Sequence, residues 1–169
     1  MSHTTTYTTT DTLQDDLLPP WLASEQALDT FLAAFRGGIL PGAAWTHGAH
    51  VAMAAAVLWD TPVIRALDSI RDAIKRYNVS QGGENTESSG YHETLTRLWL
   101  GVIAAALAGV PTGSTRLDAV CHAYRAFARR SAYHRDWYAF DVLKSTRARR
   151  EWVAPDGTQV GPAAAIFGG

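Results

Sequence analysis

Apolar residues recur along this chain at spacings of three and four, the signature of helices with one buried face. The first such stretch is predicted to start near Ser24, an N-cap with Glu25 in the first turn, and to bury Ala27, Leu28, Phe31, Leu32 and Phe35. Gly37-Gly38 ends it. A second helix follows the link Ile39-Leu40-Pro41-Gly42 and ends near Trp59-Asp60; it carries Val51, Ala54, Val57 and Leu58 on one face. Thr61-Pro62 opens a third, with a stripe of Ile64, Leu67, Ile70, Ile74 and Tyr77. Residues 78–90 hold Gly82-Gly83 and a run of Asn, Glu, Thr and Ser, and are predicted to be a long loop. A fourth helix runs from about Tyr91 to Ala108, stopped by Gly109 and Pro111. A fifth begins at Ser114 or Thr115 and buries Leu117, Val120, Cys121, Tyr124 and Phe127. A last helical region spans about 135–152, aromatic first and basic later.

No segment alternates with period two. The expectation is therefore an all-α, single-domain bundle of five or six helices, consecutive helices antiparallel. Residues 1–21 form a Thr-rich arm expected to be disordered, 22–156 the helical domain, and 157–169 an extended C-terminal tail.

Composition narrows the function classes only a little. The 169 residues are 47% hydrophobic and 18% charged, with a net charge of −1. That balance offers no general affinity for nucleic acid, and Arg147-Ala148-Arg149-Arg150 reads as a solvated helix face. The single cysteine, Cys121, cannot form an internal disulfide and is expected to be a buried thiol. The longest apolar run, residues 98–110, is too short to span a bilayer, and no signal peptide is visible. The expected setting is cytoplasmic, without membrane or nucleic-acid partners; a homodimer is compatible with the sequence.

The candidate chemistry sits on helix faces that should be dry. His47 and His50 are three residues apart, so their side chains diverge by only about 60° and their Cβ atoms by about 5–6 Å. His92 heads a face continued by Leu95, Thr96, Trp99 and Ile103. A bundle can bring the second and fourth helices together, and helical metal sites draw ligands from facing helices in this way. His47, His50 and His92 are accordingly candidate ligands of a divalent transition metal (zinc, iron, nickel or copper), three imidazoles leaving an open position for water or substrate. Glu93 is a candidate fourth ligand or acid/base, or else a surface residue paired with Arg97 at i,i+4. Tyr91 joins it as a candidate catalytic group. Trp45, Tyr77, Asn78, Thr96 and Trp99 would suit the wall of a pocket for a small organic substrate. Loop 78–90 leads into Tyr91-His92 and is expected to open easily and cover that site. His122 and His134 have weaker context and read as half-buried histidines.

Two functions follow. The first is a small helical metalloenzyme acting on a small metabolite. The second is a non-enzymatic ligand-binding or interaction module whose histidines form a metal-free hydrogen-bond network.

The motif set itself is distinctive: Leu40-Pro41, Trp45-Thr46-His47 with Ala49-His50, Arg76-Tyr77-Asn78, Tyr91-His92-Glu93-Thr94 with Thr96-Arg97, Ala148-Arg149, Trp152-Val153 and Pro155-Asp156. It resembles a family of small bacterial proteins for which no activity is established. The resemblance covers about residues 30–156, leaves the Gly-rich end outside, and implies that these residues work as a unit.

Overall fold

The computed structural model describes residues 17–157 and 161–168. The chain is an all-helical, single-domain bundle, with seven α-helices and no strand among the described residues. The helices are α1 (Glu25–Arg36), α2 (His47–Leu58), α3 (Val63–Ser80), α4 (Glu93–Ala108), α5 (Arg116–Phe127), α6 (Thr146–Arg150) and α7 (Pro162–Phe167). None is long and apolar enough to cross a membrane.

The helix starts follow ordinary capping chemistry. The side chains of Ser24, Thr46 and Ser145 each accept the backbone N–H three residues on, and Thr115 and Asp118 cap each other reciprocally. His92 caps α4 with its ring, Nδ1 accepting from the Leu95 N–H at 3.3 Å. That removes one of the orphan donors every helix start presents.

α2 is the axis. Eight of its residues, Gly48, Ala49 and Val51 through Ala56, are buried, so it is apolar on all sides rather than along one stripe. The small side chains let neighbours close in: α5 packs most extensively on it, then α4 and α3. α1 buries Leu28, Phe31, Leu32 and Phe35 against this core, and α3 buries Ala66, Leu67, Ile70, Ile74 and Tyr77. Ile64, expected on the buried stripe of α3, is 56% exposed; the stripe starts one turn later, at Ala66 and Leu67.

A second, smaller core lies on the other side of α4. Leu98 and Val102 meet Trp137, Tyr138, Val142, Ala148 and Ala163 there, and Trp99, Phe127 and Phe167 bridge the two cores. This is where the chain departs from its sequence pattern. Residues 135–152 form no continuous helix: two 3-10 turns, Tyr133–Asp136 and Val142–Lys144, precede the short α6. Trp137, Tyr138 and Val142 stand at spacings a helix would also allow, but the segment wraps around α4 in short turns instead. The C-terminal stretch is likewise not simply extended. Pro162 starts α7, whose alanines lie so close to α4 that a Cβ on Gly101 would come within 2.5 Å of the Ala163 Cα. Residues 1–16 of the predicted arm lie outside the described residues. Trp21, at the arm's end, is ordered in a 3-10 turn and stacks on Phe31 at 4.3 Å.

Candidate functional site

A cavity of about 560 Å³ opens between α2, α3, α4 and the segment before α6. Four histidines line it: His47 and His50 from α2, His92 from the start of α4, and His134 from the 3-10 turn. Most of the remaining wall is apolar, including Val51, Met53, Ile70, Ile74, Leu95, Trp99, Leu100 and Ile103. The size lies within the usual range for small-molecule pockets.

The expected α4 face faces this cavity: His92, Leu95, Thr96, Trp99 and Ile103 are all in its wall. So are Asn78 and Tyr91, whereas Trp45 and Tyr77 are not. Trp45 stacks on Phe35 at 4.2 Å and lies against the His50 ring at 3.9 Å, so it supports the site from behind. Tyr77 is buried and donates to the Leu40 carbonyl at 2.9 Å. His134 is the residue that sequence reasoning undervalued. Its neighbours Ser131, Ala132 and Arg135 also reach the cavity, from the turn that precedes the expected last helix.

The proton inventory of three of the four rings is fixed by their carbonyl partners. A carbonyl only accepts, so a ring nitrogen bonded to one carries the hydrogen, and in a neutral imidazole the other nitrogen is then an acceptor. His50 Nδ1 donates to the Thr46 carbonyl at 2.8 Å, and His134 Nδ1 to the Ser131 carbonyl at 3.0 Å. Both leave Nε2 as a bare acceptor. His47 Nε2 is fully buried and has no partner. His92 is different: Nε2 donates to the Val142 carbonyl at 3.0 Å while Nδ1 caps α4, so both nitrogens are spoken for.

Burial disfavours protonation of His47, His50 and His92. It lowers His50 to a pKa of about 4, against a smaller raising effect of the Thr46 carbonyl and with the neighbouring His47 adding to the lowering. His47 is lowered first by burial, against the Phe127 carbonyl and with help from the charge of His134. His92 is lowered by burial, against the Val142 carbonyl, with the positive charge of Arg149 and then His134 adding to it.

Glu93, one residue on, belongs to a different structure. Its Oε1 accepts from Arg71 Nη2 and Arg97 Nε, each at 2.7 Å; its Oε2 accepts from Arg71 Nε at 2.9 Å and the Tyr91 hydroxyl at 2.8 Å. The expected i,i+4 pair with Arg97 is present, but buried and part of a larger knot. Despite the cost of burial, these partners hold the carboxyl at a pKa of about 2, and burial with the nearby carboxylate pushes the Tyr91 hydroxyl well up. A carboxylate with both oxygens doubly bonded has little left to offer a metal or a substrate proton.

His92 and Glu93 are committed elsewhere, and among the described residues no group of three His, Cys, Asp or Glu side chains could hold a metal ion. Loop 78–90 also differs from an unanchored lid. The helix α3 takes its first residues, and Asn85 pins the rest: its Oδ1 accepts from Asn78 Nδ2 and the Tyr91 N–H, and its Nδ2 donates to the Lys75 carbonyl. Gly90, at φ +75°, lets the chain turn back over Glu84, whose carbonyl lies 2.3 Å from where a Cβ would be.

No family model, curated protein or solved structure matches this chain.

Proposed function

We propose that the chain binds a small, mainly apolar organic molecule that carries hydrogen-bond donors, in the cavity lined by His47, His50, His92 and His134. The observation that carries this reading is the set of unused ring nitrogens in an otherwise apolar wall. His50 and His134 present Nε2 acceptors, and His47 Nε2 is buried with no partner. A buried polar atom left unbonded costs about 1–3 kcal/mol, and a ligand hydroxyl or N–H would recover it. Polar groups that serve only the fold look like His92, saturated by backbone. Burial disfavours protonation of His47 and His50, so each can act as a neutral base toward such a ligand.

A metal-dependent reading rests on a narrower observation. A histidine donating Nδ1–H to a carbonyl while Nε2 stays open is the arrangement that orients metal ligands, and His50 and His134 share it. Elemental analysis of protein purified without an affinity tag separates the two readings.

The direct test is a panel of phenols and alicyclic alcohols, each matched with its O-methyl ether, titrated by calorimetry and against the thermal midpoint. The alcohols are expected to bind at least about tenfold tighter than the ethers, because only they satisfy the open nitrogens. Equal affinity of ether and alcohol throughout the panel would overturn the reading.

A further inference from the structure

A second cleft, of about 700 Å³, lies on the far side of Tyr91, bounded by α3, the 78–90 loop and α6. Its walls carry four cations, Arg71, Lys75, Arg149 and Arg150, and two carboxylates, Glu87 and Glu93. Both carboxylates are already taken, Glu93 by Arg71 and Glu87 by Arg150 at 2.8 Å. Lys75 and Arg149 remain without an ion pair among the described residues.

These two are placed, not merely exposed. The Lys75 ammonium stands 5.1 Å over the Tyr91 ring, an attraction that holds it at the cleft wall. Arg149 is half-buried and anchored by backbone alone: Nη1 donates to the Gly90 and Tyr91 carbonyls, and Nη2 to the Leu143 carbonyl at 3.4 Å. Both Nη1 hydrogens are used. Nε and one hydrogen of Nη2 are not. That is the side-on fork with which Arg71 grips Glu93 through Nε and Nη2. A guanidinium fork matches two oxygens of a carboxylate or phosphate, and a nearby ammonium adds a point charge for a second negative charge.

We propose that this cleft is a binding site for a doubly charged oxyanion, such as a phosphate group, held by the free Nε/Nη2 fork of Arg149 and by the Lys75 ammonium. The site shares the Tyr91 wall with the histidine cavity but uses none of its histidines.

The test uses inorganic phosphate as the probe, titrated into the full chain by calorimetry and amide NMR at constant ionic strength, with acetate and chloride as comparison anions. Phosphate is expected to saturate one site, to shift the amides of residues 85–91 and 149, and to bind at least fivefold tighter than acetate. Lys75→Gln, a change at an exposed side chain, should weaken phosphate at least threefold. Arg149→Lys, which keeps the charge and removes the fork, should weaken it further. Equal affinity in wild type and Lys75→Gln, or amide shifts that chloride reproduces at the same ionic strength, would overturn the proposal. Should Arg149→Lys fail to fold, the Lys75 variant and the anion series decide.

Discussion

His92 and Glu93 are adjacent in the chain, yet they belong to opposite kinds of polar site. Glu93 sits in a knot where both oxygens are doubly satisfied by Arg71, Arg97 and Tyr91. His92 borders a cavity whose other three rings keep a nitrogen in hand. Removing a partner from a saturated buried network leaves uncompensated charge, whereas removing an unbonded group relieves the fold of a penalty. The knot should therefore behave as structure and the cavity as function.

Glu93→Gln should have the largest effect on stability. It keeps the shape but leaves Arg71 and Arg97 facing each other without a carboxylate. Breaking a buried, hydrogen-bonded ion pair typically costs about 3–5 kcal/mol, and urea denaturation should read a loss in that range. A loss below about 1 kcal/mol would mean that the Arg71 and Arg97 contacts are screened like surface pairs and that the contrast with the cavity is false.

Acid should take the two regions apart in sequence. His50 has a folded pKa of about 4, below the ordinary value of 6.5, so the folded state resists its protonation. Its contribution is full above pH 6.5 and is lost as the pH falls to about 4, by up to about 3 kcal/mol at 1.36 kcal/mol per unit. His47 and His92 are lowered too and act in the same direction. Glu93, lowered from 4.5 to about 2, contributes fully above pH 4.5 and loses its share only as the pH falls to about 2. Stability measured by denaturant against pH should thus fall first between 6.5 and 4, and again below 4.5. His50→Phe should reduce the first fall to the part that His47 and His92 carry, and leave the second. A profile level from pH 7 to 5 would refute the neutral-histidine description.

The sequence shows one side of this contrast far better than the other. The cavity's α4 wall was legible because His92, Leu95, Thr96, Trp99 and Ile103 recur at helical spacing. The pairing of Glu93 with Arg97 was legible for the same reason. Arg71 was not, since it stands 22 residues away on a helix whose rotation against α4 no local pattern reveals. His134 was undervalued because it precedes the expected last helix and reaches the cavity from a 3-10 turn whose packing on the bundle no local pattern reveals. The bonds made by the segment after α6 are likewise found only in three dimensions. The Thr94 hydroxyl donates to the Glu151 carbonyl and accepts from the Val153 N–H, the Tyr138 hydroxyl donates to the Val153 carbonyl, and Asp156 accepts from the Ala139 N–H. These bonds tie the segment after α6 to the start of α4 and to residues 138–139. Periodicity finds the helices; it is silent on side-chain bonds that cross between them.

The smallest stability effect should come from His47→Leu, and it is the sharpest test of the comparison. Leucine is close to histidine in volume, removes the unbonded buried Nε2, and keeps the apolar contact that His47 makes with the Trp99 ring at 4.6 Å. The lost penalty and the lost attraction of the Phe127 carbonyl for the ring oppose each other, so stability should change by no more than about 1 kcal/mol in either direction. Binding should respond quite differently. If Nε2 is the atom that receives a ligand donor, the alcohols of the panel should lose about tenfold or more in affinity while their methyl ethers lose little. The advantage of alcohol over ether would then shrink or vanish in the variant. A stability loss of 2 kcal/mol or more, with the alcohol-to-ether ratio intact, would assign His47 to the fold alongside Glu93 and leave His50 and His134 to carry the recognition.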